Sequence, residues 1–342
     1  MKILMLTWEY PPRIVGGIAR VVHDLSKRMI KDGHEVHVIT YKEGELPEFE
    51  NDKGVFIHRV ENYMINPNNF IDWIMQLNFN MISRASKLIA EEGKFDVIHA
   101  HDWLVAYAAK TLKTSYDIPM VATIHATEAG RNGGIYDETQ RYINDTEWML
   151  TYEATDVIVN SNFMKNDIQR LFGLPFEKIN VINNGVNLTT YNGVERDYSF
   201  RRQYASDNEK IILFVGRLVF EKGVQHLIDA MPKILQYYHD SKIVIAGKGG
   251  MIDELKMQAE SLGIGNKVYF TGYLNPKEIA KIYKCADVAV FPSTYEPFGI
   301  VALEAMLAGV PTVVSDIGGL NEIVAHRTRW NEVICRKSRI FG

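Results

Sequence analysis

Short apolar, β-rich runs alternate with helical patterns along nearly the whole chain, and this alternation limits the fold more than any other feature. Strands separated by helical segments belong to βαβ units, whose parallel strands need a crossover between neighbours. The runs form two sets. The first covers residues 2–7, 35–40, 55–60, 95–100, 120–125, 156–160 and 180–183; the second covers 211–216, 242–247, 267–271, 287–291 and 312–315. Residues 187–208 are polar, contain Tyr and Asp and lack an apolar period, so they read as a connector. The expected fold class is α/β with two doubly wound domains, residues 1–195 and 196–326.

Composition agrees with two globular domains: 342 residues, 46% hydrophobic and 23% charged, outside the disordered and collagen-like ranges. No apolar run approaches the ~18 residues of a membrane span. The opening MKILMLTWEYPP reaches charged and turn residues too early for a secretory signal. No integral membrane segment and a cytoplasmic location are therefore expected. Two cysteines, Cys285 and Cys335, make neither a disulfide framework nor a zinc cage. A net charge of -4 gives no long-range attraction for nucleic acid, so no such partner is expected, while a local phosphate site stays open.

The helix after the first strand has an apolar stripe, Ile18, Val21, Val22, Leu25 and Met29. The loop before it, residues 8–17, is long and ends in Gly16-Gly17, at the carboxyl end of a strand, where open α/β sheets bind ligands. Two glycines at a helix start suit a phosphate or simply a tight turn. Neither G-x-G-x-x-G nor a P-loop is present. In the second half, Arg217 and Lys222 follow a strand end, either as a solvated pair or as two cations for one diphosphate. The next strands end in Ala246-Gly247-Lys248-Gly249-Gly250 and Thr271-Gly272-Tyr273-Leu274. Glycine or cation at three successive strand ends points to a nucleotide cleft. The run PSTYEPFGIVALEA then places Glu296 on a loop and Glu304 within an apolar helix face, where a carboxylate needs a partner.

The E-x7-E of EPFGIVALE, the R-x4-K upstream and the early glycine pair resemble the retaining family-four glycosyltransferases of GT-B fold. The likeness runs from Met1 to about His326 and includes VIHAHDW, TIHATEAGR, VNSNFM, INNGVN and GVPTVVSDIGG in chain order. It implies two Rossmann-like domains facing a cleft, and transfer of a hexose from a nucleoside diphosphate sugar to a hydroxyl acceptor, with retained configuration and with no metal or other cofactor. It assigns Arg217 and Lys222 to the diphosphate, Glu296 to the sugar hydroxyls and Glu304 to the ribose. The backbone N–H groups of Phe298, Gly299, Ile300 and Val301 would face sugar and phosphate, Gly16 and Gly17 would close over the diphosphate, and His125 would lie beside the reacting sugar. Gly247 and Tyr273 are expected to belong to the same donor site. HATEAGRNGGIY leans toward glycogen or starch synthase-like chains and a glucan acceptor, although Ile14-Val15-Gly16-Gly17 stands where those synthases commonly carry K-x-G-G.

These residue types suit the chemistry. Cleaving the anomeric C–O bond leaves an oxocarbenium-like sugar and an anionic diphosphate, and cations with helix N-termini stabilise the charge that develops. No D-x-D occurs. The H-x-H of His99 and His101 brings no third ligand by spacing and reads as packing or acceptor lining, as does the stretch 64–81. After GGLNEIV the family continues with H-G-x-[ND]-G, whereas this chain reads His326-Arg327-Thr328-Arg329. Residues 327–342 are thus expected to be an aberrant tail, which a frameshift would explain, leaving the C-terminal domain incomplete and a sheet edge bare. Two alternatives remain: an inactive nucleotide-sugar-binding protein, and a nucleotide-sugar epimerase.

Overall fold

The computed structural model describes residues 1–63, 67, 69–324 and 332–335. The chain divides into two compact units, Met1–Asn184 and Gly185–Gly342. In the first unit β1 (Lys2–Leu6), β2 (Glu35–Tyr41), β3 (Phe49–Asp52), β4 (Val55–Val60), β5 (Val97–His101), β6 (Met120–Ile124), β7 (Asp156–Val159) and β8 (Ile179–Val181) form one sheet in the order β3-β4-β2-β1-β5-β6-β7-β8. All pairings are parallel except that of β3 with β4. Helices α1 (Gly17–Lys31), α2 (Phe70–Glu92), α3 (Ala106–Tyr116), α4 (Glu128–Asn132), α5 (Glu138–Glu153) and α6 (Asn162–Phe172) connect them.

In the second unit β9 (Lys210–Val215), β10 (Ser241–Ala246), β11 (Val268–Gly272), β12 (Val288–Phe291), β13 (Thr312–Ser315) and β14 (Glu332–Cys335) lie in the order β11-β10-β9-β12-β13-β14, all parallel. Its helices are α7 (Tyr198–Arg201), α8 (Val224–Tyr237), α9 (Ile252–Ser261), α10 (Pro276–Cys285), α11 (Ile300–Leu307) and α12 (Leu320–Ile323). The strand order reverses beside β1 in one sheet and beside β9 in the other. Such switch points open a crevice outside the strands' carboxyl ends, and each unit is Rossmann-like.

The strands form because their runs are apolar on both faces: KILML of β1 and KIILFV of β9 are buried after their first residue. Helix α1 lays Val22, Ile18, Leu25 and Met29 against the core built on Ile3, Met5, Val36 and Val38. Two departures from the sequence reading have physical causes. The connector 187–208 buries Tyr191, Phe200 and Tyr204 in the second core; isolated aromatics have no period to reveal them. The edge predicted to be bare after β13 is paired with β14, a run of four residues too short to stand out by periodicity. The remainder of 327–342, and residues 64–66 and 68 of the stretch 64–81, lie outside the described residues. No helix among the described residues is long and apolar enough to cross a membrane.

Candidate functional site

The second unit's site is built by backbone packing at the carboxyl ends of its strands. After β9 the chain makes a turn, Phe220–Lys222, closed by Gly223 at φ +68. A Cβ on Gly223 would stand 1.9 Å from the Pro292 carbonyl oxygen. The Thr294 N–H donates to the Glu221 carbonyl at 2.8 Å. The turn thus rests on the loop after β12, and Lys222 Nζ donates to Glu296 Oε2 at 2.7 Å. Ser293 Oγ donates to the same oxygen at 3.1 Å. Glu296 is 7% exposed, so its carboxylate is held by a cation and a hydroxyl where little water reaches. Arg217 is exposed, and its guanidinium lies 3.4 Å from Glu221.

The glycines explain how the strand ends come close. A Cβ on Gly247 would lie 1.8 Å from the Gly216 carbonyl oxygen, and one on Gly249 would lie 2.2 Å from that of Leu218. Gly247 N–H donates to the Gly272 carbonyl at 3.0 Å, tying the ends of β10 and β11. Tyr273 follows, 55% exposed, with Lys248 Nζ 5.8 Å from its ring. Gly299 caps α11 at φ +104, where a Cβ would meet Leu320 Cδ2 at 2.5 Å. Phe298 is buried beside it, and Ile300 and Val301 are the first residues of α11, whose N–H groups have no intrahelical acceptor. Glu304 is buried in the same helix, 3.5 Å from the Tyr283 hydroxyl. One unit therefore combines a lysine, an open guanidinium, a helix N-terminus and two buried carboxylates. That set matches a molecule with both an anionic and a polyhydroxylic part.

In the first unit Gly16 is the N-cap of α1 and Gly17 its exposed first residue. The Gly16 N–H is already taken: it donates to Glu9 Oε2 at 2.8 Å, and Val15 N–H donates to the same oxygen. Glu9 is buried, and that burial raises its pKa against the pull of these amides. Sequence reasoning missed Glu9. A lone acid between a strand and a glycine pair was its only signal.

His125 follows β6, half-buried, with its backbone N–H donating to Asp102 Oδ1 at 2.7 Å. Asp102 sits at φ +62, and burial raises its carboxyl to about 6. His99 and His101 join His125 in a ladder of imidazoles. The described residues that do offer metal-ligand spacing are Glu35, His37 and Glu92, and Lys2 Nζ pairs with both carboxylates at 3.2 Å. Arg13, Pro67, Asn69, Phe70 and Trp73 line an open pocket of about 310 Å³. Arg13 lies over the Trp8 ring at 4.7 Å.

Glu147, on α5, accepts the Glu128 N–H with both oxygens, at 3.0 and 3.1 Å, and burial raises its pKa to about 8. An acid that holds its proton more tightly when folded contributes less stability as pH rises from the ordinary carboxylate range through its folded pKa. Glu147→Gln keeps the acceptor and removes the titration. The variant's melting temperature should decline less than the wild type's between about pH 5 and 8. Parallel declines would contradict the burial account.

Residues 15–190 match the family described as Glycosyltransferase Family 4, and residues 196–338 match Glycosyl transferases group 1. The chain is 46% identical over 330 residues to an uncharacterised glycosyltransferase of Methanocaldococcus jannaschii, covering 95% of this chain and 83% of that one. It is 39% identical over 341 residues to a glycogen synthase of Mycobacterium tuberculosis, covering 95% and 80%. Among solved structures, the sucrose-phosphate synthase of Thermosynechococcus elongatus superposes with a TM-score of 0.84 at 22% identity, covering 99% of this chain and 86% of that one. Anabaena HepE in complex with UDP and glucose gives 0.75 at 23% identity, covering 98% and 86%.

Proposed function

The chain belongs to the family-4 glycosyltransferases of GT-B fold, and from that premise we propose that it moves a hexose from a nucleoside diphosphate sugar to a hydroxyl acceptor, with retention of anomeric configuration. The observation that carries this reading is the Lys222–Glu296 pair, a cation and a buried carboxylate at 2.7 Å on the carboxyl edge of the second sheet. Lys222 and Arg217 neutralise the leaving diphosphate, and the α11 N-terminus at Phe298 to Val301 adds its dipole. Glu296 orients sugar hydroxyls, Glu304 holds the ribose, and Gly247 and Tyr273 border the nucleotide. His125 stands beside the reacting sugar. The departing phosphate oxygen takes the acceptor proton as the acceptor oxygen bonds to the anomeric carbon from the same face. The glycogen synthase relative supports a glucan acceptor, and HepE, solved with UDP-glucose, supports a nucleotide-sugar donor.

The test is a screen of nucleotide sugars, with and without oligosaccharides, for nucleoside diphosphate release, followed by NMR of the product's anomeric configuration. Release coupled to a retained glycoside is expected. Donor binding without release would favour a binding protein, and an altered sugar without a glycoside would favour an epimerase. Gly17→Val should weaken donor binding by obstructing the backbone approach proposed for the α1 start. Calorimetry with unchanged donor affinity would remove Gly17 from the site.

A further inference from the structure

Three imidazoles touch on one face of the first sheet, and the function proposed above uses only His125. His99 and His101 alternate on β5 and so share a face, while His101 pairs in register with Thr123, two residues before His125. The ring centroids of His99 and His101 are 4.2 Å apart, and those of His101 and His125 are 5.5 Å apart. His99 Nε2 lies 2.7 Å from Thr123 Oγ1, and His101 Nδ1 lies 3.2 Å from His125 Nε2. His101 is wholly buried, and its Nε2 has no hydrogen-bond partner among the described residues.

Burial pushes all three imidazoles well below their ordinary pKa, His99 and His125 to about 4, so they are neutral. A neutral imidazole has one N–H and one lone pair, and the 3.2 Å contact requires one of each. Were the His101 proton on Nε2, a buried N–H would point at nothing, a rare and destabilising arrangement. With the proton on Nδ1, only a lone pair is left unmatched.

We infer that His101 donates its Nδ1 proton to Nε2 of His125, fixing His125 as the Nδ1–H tautomer and making it a hydrogen-bond donor to a ligand oxygen rather than a base. Asp102 anchors the His125 backbone, and His101 sets its ring. His101 is thus a positioning residue. Its consequence for turnover rests on the role proposed for His125, but the tautomer does not.

The experiment is 15N NMR of histidine-labelled protein, with the His125 signals identified from their loss in His125→Ala. His125 protonated on Nδ1 is expected in the wild type. His101→Phe keeps a ring without a donor and should shift His125 toward the Nε2–H form. It should also lower kcat about tenfold, as misplacing a site group does, with donor KM within about twofold. His101→Asn restores an amide at the Nδ1 position and should recover most of kcat. In a His125→Ala background, His101→Phe should add no further loss. A wild-type His125 protonated on Nε2 overturns the inference, as does a pattern unchanged in His101→Phe. If His101→Phe does not fold, the wild-type spectrum decides alone. Should the tautomer be as assigned while His125→Ala turns over normally, the inference holds and the proposed role of His125 fails.

Discussion

Lys222→Ala is expected to lower the rate of sugar transfer at least tenfold, about 1.4 kcal/mol of transition-state stabilisation. The Lys222 ammonium faces Glu296 across 2.7 Å, which fixes it at the strand edge. A cation held in place needs no reorganisation when negative charge grows on the leaving oxygens, which makes it more effective than a mobile one. Removing it also leaves the Glu296 carboxylate, among the described residues, with the Ser293 hydroxyl but no cation, in a site with little water. An unpaired, largely buried carboxylate is destabilising, so the rate should be measured on protein whose melting curve shows it folded. Glu296→Ala should produce a loss of similar size by releasing the sugar hydroxyls and the lysine together. Initial rates of nucleoside diphosphate release check both, and near-wild-type rates in folded variants would contradict the assignment.

Gly223→Val is expected to have the largest effect on stability, lowering the unfolding free energy of the second unit by about 3 kcal/mol or more. Two costs add. The backbone sits at φ +68, which a β-branched residue adopts only under strain, and a Cβ would stand 1.9 Å from the Pro292 carbonyl oxygen. Backbone cannot yield as a flexible side chain does, so the turn would have to lift from the loop after β12, carrying Lys222 from Glu296. Denaturant unfolding should show a lower midpoint, and donor turnover should fall with it. A midpoint equal to the wild type's would mean that the turn does not rest on this loop.

The fold was legible because central strands such as β1 and β9 are buried almost throughout, and β-rich runs such as IILFVG stand out in any window. What escaped notice lacked that signal. The β3–β4 hairpin is built on the polar run Phe49–Asp52, which carries no apolar pattern. Strand β14 is four residues in a segment that departs from the family pattern. In the candidate site, Lys222, Glu296 and Glu304 could be singled out from sequence and resemblance, but their geometry could not. Gly223 against Pro292 and Thr294 against Glu221 bring Lys222 and Glu296 together through contacts about 70 residues apart in sequence, and no local pattern encodes such a contact. Glu9 is the reverse case. Gly16-Gly17 reads as an open anion site, yet this chain supplies its own carboxylate to the Val15 and Gly16 amides.

Every role proposed for this chain depends on the cations after β9 binding the pyrophosphate of a nucleotide sugar. Titration calorimetry of the wild type and of the Arg217→Ala/Lys222→Ala double variant, each with a nucleoside diphosphate and with the bare nucleoside, tests it most directly. The double variant is expected to lose at least about tenfold in diphosphate affinity, as removal of charge-assisted hydrogen bonds should produce, with nucleoside binding unchanged. Equal diphosphate affinity in the two proteins would contradict it.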